Sequence, residues 1–156
     1  MDAMVYLLAL VIGIIAGLRA MTAPAAMSWA AYLGYLNLGG SWLAFMGYRF
    51  TPWILSVLAL GEFVTDQLPS TPSRKVPVQF GARLVSGALS GAMVGVNGGT
   101  LLGGLVAGII GAVIGTLGGA AMRSRLATAF GRDLPAALIE DVIAIIGAIS
   151  VVGMLR

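Results

Sequence analysis

Six ionisable residues interrupt the long apolar runs of this chain: Arg19, Glu62, Asp66, Arg83, Glu140 and Asp141. A guanidinium presents a planar fork that holds a carboxylate or phosphate through paired hydrogen bonds. That makes Arg19 and Arg83 candidates for gripping an anionic group. A carboxylate in an apolar setting can exchange a proton, because burial disfavours its charged form; Glu62 and Glu140 are the candidates for that role. Glu62 and Asp66 are four residues apart, so on a helix they share one face. Thr22 and Ser86 each follow an arginine by three residues and add a hydroxyl. The plainer alternative is that these charges pair with one another and with backbone carbonyls, fixing how helices meet. Removing one partner of such a desolvated pair costs about 3–5 kcal/mol.

The chain has no cysteine and no histidine. Thiol chemistry, disulfides and thiolate metal sites are therefore excluded, as are imidazole acid–base catalysis and the commonest metal ligand. No nucleophile–base pair can be built from Cys or His, so we expect no enzyme, no cofactor and no metal centre. Of 156 residues, 59% are hydrophobic and 10% charged, against about 25% charged in a soluble domain. Mean hydropathy is +0.99. Such a chain calls for lipid as its solvent. The net charge of +3 is spread among apolar stretches, so it reads as a topology signal and not as a nucleic-acid surface.

The elements that must position these charges form an all-α, polytopic membrane bundle of five to six transmembrane or re-entrant helices in one domain. Expected helices cover 3–20, 23–36, 52–67, 80–96, 101–122 and 136–155. Asp2 is the only early charge, so the first helix reads as retained and not as a signal peptide. Thr22–Ala23–Pro24, Thr51–Pro52 and Asp133–Leu134–Pro135 read as helix starts with a capping residue and an early proline. One long helix kinked at Pro24 is the alternative to two helices there. Residues 37–49 read as a glycine-broken interfacial connection carrying Trp42, Phe45 and Tyr48. Residues 68–78, with Pro69, Pro72 and Pro77, and residues 123–134 read as polar loops. Asn97–Gly98–Gly99 reads as a tight turn.

With alternating helices, one side receives Arg19, Arg74, Lys75, Arg83, Arg123, Arg125 and Arg132, and the other only Arg49 and Arg156. The first side is then cytoplasmic, and the loops 68–78 and 123–134 with it. Arg74 and Lys75 read as topology markers. Gly87, Gly91 and Gly95 are spaced by four, as are Gly104 and Gly108, and Gly111, Gly115 and Gly119. Such rows let a second backbone approach closely. They can pack helices within the chain or form a homo-oligomer interface. Gly17–Leu–Arg19–Ala–Met–Thr22–Ala23 and Gly81–Ala–Arg83–Leu–Val–Ser86–Gly87 also match at four positions, a weak internal repeat of the kind found inverted in transporters.

The blocks GLRAMTAPAAMSWAA, GEFVTDQLPSTPSR, FGARLVSGALSGA and LPAALIEDVIAI span nearly the whole chain. They resemble the bacterial membrane-protein family catalogued as domain of unknown function 4126. The resemblance implies a small multi-helix inner-membrane protein of permease-like character. It implies a pattern made of Arg19, Thr22, Pro24, Glu62, Asp66, Pro69, Thr71, Pro72, Arg74, Arg83, Glu140 and Asp141. It also implies a frequent lysine where this chain has Gln67. Three functional readings follow: a small, oligomeric transporter or channel for a polar or anionic solute or ion; a lipid flippase or scramblase whose arginines hold a head group; and a membrane assembly protein whose charges only lock the fold.

Overall fold

The structure, a computed structural model, describes residues 2–68 and 73–156. Pro69, Ser70, Thr71 and Pro72 lie outside the described residues. The described chain is all helical: α1 (Asp2–Leu18), α2 (Thr22–Tyr32), α3 (Thr51–Thr65), α4 (Pro77–Asn97), α5 (Leu101–Phe130) and α6 (Asp133–Leu155). A 3-10 turn, Trp42–Gly47, lies in the connection between α2 and α3. Two helices, α5 and α6, are long and apolar enough to cross a membrane; α1 and α3 are shorter apolar helices.

The surface has the inverse of a soluble pattern. Alanines such as Ala9, Ala16, Ala112, Ala137 and Ala144 are buried, whereas Leu60, Val64, Val85, Ile146 and Ile149 are exposed. Exposed aliphatic side chains in such number are poorly matched to water. Against lipid tails they are matched, and small residues inside allow close helix packing.

Glycine explains the centre. A Cβ on Gly17 would lie 2.7 Å from the Gly115 carbonyl carbon, one on Gly91 2.8 Å from Gly108 Cα, and one on Gly95 2.9 Å from Gly104 Cα. Gly111 and Gly115 meet the backbone of α1 at Leu10 and Ile14, and Gly87 meets Gly108. Helix α5 therefore runs parallel to α1 on one face and antiparallel to α4 on another. Helix α6 packs on α5 and α1, α2 on α6 and α4, and α3 chiefly on α2. These glycine faces are filled within one chain, so an oligomer would have to use other surfaces.

Helices α1 and α2 form a hairpin, not one kinked helix: Val5 sits beside Gly98, and the Asn37 N–H donates to Asn97 Oδ1 at 3.2 Å, at the same end of the bundle. The three expected caps are absent: at α6 the N-cap is Arg132, with no side-chain capping bond, and Asp133 is the first helical residue. The α2 N-cap is Met21, with no side-chain capping bond, and the Thr51 hydroxyl donates to the Phe45 carbonyl at 2.7 Å. The expected loop 123–134 is corrected as well. Helix α5 continues to Phe130, because 120–130 holds neither glycine nor proline, and it ends where Gly131 adopts φ +68°. At 1.5 Å per residue its 30 residues span about 45 Å, more than the thickness of a hydrocarbon core, about 30 Å.

Candidate functional site

The break between α1 and α2 leaves helix-end backbone groups without intrahelical partners. Charged side chains from other helices satisfy them. Glu62 on α3 accepts the N–H of Ala20 at 2.7 Å and of Met21 at 2.8 Å. Arg83 on α4 donates through Nη1 to the carbonyls of Gly17 and Leu18, both at 2.8 Å. Ser86 donates to the Ala20 carbonyl, and Thr116 Oγ1 to that of Gly17 at 3.4 Å. An anion at a helix start and a cation at a helix end both suit the peptide dipoles.

Arg19, in that same break, is completely buried. Its Nε donates to Asp141 Oδ1 at 2.6 Å, its Nη1 reaches Asp66, and its Nη2 lies 3.7 Å from Glu140. The Phe63 ring lies 5.9 Å from the guanidinium carbon, within cation–π range. Glu140, also completely buried, is forked by Arg74, with Nη2 at 2.8 Å from Oε2. Arg123 lies 3.5 Å from Glu140, binds Asp133 at 2.9 and 2.6 Å, and donates to the Asp66 carbonyl at 3.0 Å. Gln67 donates to Asp141 Oδ2 at 3.2 Å. A Cβ on Gly119 would lie 2.9 Å from Arg74 Nη1 and 3.2 Å from Glu140 Oε1, so this glycine makes room for the fork.

A polar vestibule of about 360 Å³ opens over the network, lined by Asp66, Arg74, Arg83, Arg123, Ser124 and Asp133 among others. A second, apolar groove of about 280 Å³ lies between α2, α3 and α6, with Thr22, Ala59, Phe63 and Ile149 in its walls. Asp66 lines the vestibule and Phe63 the groove, so the Arg19 contacts stand between the two.

Seven of the expected site residues meet in this network: Arg19, Glu62, Asp66, Arg83, Ser86, Glu140 and Asp141. Thr22 does not join it; its buried Oγ1 has no hydrogen-bond partner among the described residues. The repeat is not mirrored in the environments. Gly17 packs on α5 while Gly81 meets nothing within 4 Å, and Arg19 and Arg83 lie at the same end. Arg74, read as a topology marker, is 8% exposed and belongs to the network. Arg123, Asp133 and Gln67 were also missed. Charge arithmetic carried a signal: two arginines leave four carboxylates short of counter-charge. Comparison of the chain with protein-family models, curated proteins and solved structures finds no match.

Proposed function

We propose that the chain is a multi-pass protein of the bacterial inner membrane that moves a small ion or polar solute, anionic solutes included. The vestibule is its cytoplasmic mouth. The observation that carries this reading is the vestibule itself: a cavity of about 360 Å³ whose walls include Arg74 and Arg83, both buried, and which lies directly on a desolvated ion network. Ionisable groups within spans cost about 2.5–3.5 kcal/mol each on insertion scales, and a network that only braced helices would not need a chamber of about 360 Å³ above it. The seven-to-two bias of basic residues supports the cytoplasmic assignment. The glycine-packed α1–α4–α5 core leaves no room for a pore, so the path runs beside α3, which buries only Pro52 and Ala59.

Flux into liposomes containing the purified protein tests the reading. Wild-type protein should conduct a small inorganic ion or organic acid. Arg83→Lys and Asp66→Asn should lower the rate at least tenfold while leaving a folded, normally inserted protein. A folded wild-type protein that moves none of these substrates overturns the proposal. The apolar groove beside Phe63 favours one second reading, movement of a lipid whose head group enters the vestibule. Transfer of a labelled phospholipid between leaflets without solute flux would select it.

A further inference from the structure

The buried network does not balance. Three guanidiniums, Arg19, Arg74 and Arg83, face four carboxylates, Glu62, Asp66, Glu140 and Asp141. Arg123 and Asp133 pair with each other at the rim and add no net charge. Helix α2 brings no Asp, Glu, Lys or Arg, its one titratable side chain being Tyr32 at the far end, and 69–72 is Pro–Ser–Thr–Pro. The remaining nearby cations, Lys75, Arg125 and Arg132, are exposed. One negative charge is left over among side chains that are mostly out of water and open to it only through the vestibule, where an uncompensated charge is expensive.

The four carboxylates are not equivalent. Asp66 and Asp141 are each contacted directly by Arg19, and Glu140 is forked by Arg74. Glu62 alone lacks a guanidinium at hydrogen-bond distance; Arg83 Nη2 stands 3.8 Å away. Arg83 divides its attention, since that nitrogen is also 3.7 Å from Asp66, its Nη1 serves two carbonyls, and its buried Nε has no hydrogen-bond partner among the described residues. A metal ion is a poor way to cancel the charge, because the carboxylates converge on Arg19 and no group of three or more His, Cys, Asp or Glu side chains is placed to hold a metal among the described residues.

We propose that Glu62 carries one exchangeable proton, loaded from the vestibule by way of Asp66. Asp66 lies one turn along the same face and lines the chamber. The transfer balances in two steps: a hydronium ion in the vestibule gives a proton to Asp66 and becomes water, and an O–H bond then forms on a Glu62 oxygen as that on Asp66 breaks, which returns Asp66 to the carboxylate paired with Arg19. The Ala20 and Met21 N–H groups bind the carboxylate better than the acid, so loading weakens the tie between α3 and the α1–α2 break. The proton site does not depend on the proposed transport; only its coupling to flux does.

Infrared difference spectroscopy of the protein in lipid, titrated over pH, tests the proton directly. The wild type should show a protonated carboxylic acid band that disappears as pH rises, and Glu62→Gln should lack it. Gln67→Lys places a cation beside Asp141 without touching Glu62 and should lower the proton affinity about tenfold or more, the scale of one added opposite charge nearby. Absence of a titrating band in the wild type overturns the inference, as does a band unchanged in both variants. A band without flux would overturn the transport reading alone; flux without a band would overturn this inference alone.

Discussion

Glu140 is the carboxylate the network can least do without. It is completely buried and is approached by Arg74, Arg19 and Arg123. Glu140→Gln leaves Arg74 desolvated and short of its counter-charge, and should lower stability by about 3–5 kcal/mol, read as a fall in the unfolding midpoint in detergent. Asp133 is the contrast. It binds Arg123 through both oxygens, but its side chain is 57% exposed, and exposed pairs contribute about 0–1 kcal/mol. Asp133→Asn should therefore change stability by no more than about that amount. Equal losses for the two variants would show that burial does not set the strength of these contacts. The composition of the chain made Glu140, Asp141 and Arg19 visible as partners, because charge is rare in it. Arg74 was hidden by its setting: beside Lys75 in a proline-rich connection, a basic residue has the pattern of a topology marker, and only the fold turns it inward onto Glu140.

At the scale of elements, the glycine rows decide where helices touch. Gly108 lies between α4 and α1: a Cβ there would meet the Gly87 carbonyl and stand 3.0 Å from Gly91 Cα. These are backbone atoms, which cannot swing aside as a side-chain tip can. Gly108→Ala should destabilise by about 1–3 kcal/mol, the range of overpacked cores. Gly118, in the same helix, meets nothing within 4 Å. Gly118→Ala should be neutral or stabilising by up to about 1 kcal/mol, from helix propensity alone. Denaturation of the two variants side by side checks both, and similar effects would mean that the rows do not carry the contact. The spacing of four was readable in the chain, whereas the choice of face was not: Gly104 serves α4, Gly111 and Gly115 serve α1, Gly108 touches both, and nothing local distinguishes them. Helix α2 shows another limit. Thr22 is a good capping residue by type, yet the helix start is held by Glu62 from α3, a contact that exists only once α3 has docked.

At the scale of the whole molecule, the proposed bilayer position has consequences that labelling can read, and a chain without cysteine gives a silent background. Three surfaces should behave differently. Ser124 lines the vestibule, on the side that carries the basic excess. Gly39 is exposed in the connection between α2 and α3, at the opposite end. Ile149 is 65% exposed on the flank of α6, where a bilayer would cover it. In inverted and right-side-out vesicles, Ser124→Cys should react with a membrane-impermeant thiol reagent only from the cytoplasmic side. Gly39→Cys should react only from the other side, and Ile149→Cys from neither. Reaction of Ile149→Cys from water would mean that the aliphatic outer face is not in lipid. Labelling of the first two from one side would reject the alternation of α3, α4 and α5, and with it the vestibule as a one-sided mouth. The opposite sidedness, Ser124 outward, would keep the alternation but contradict the charge bias. It would also place the proton entry to Glu62 on the outer face, where an inward proton gradient would load it instead of unloading it.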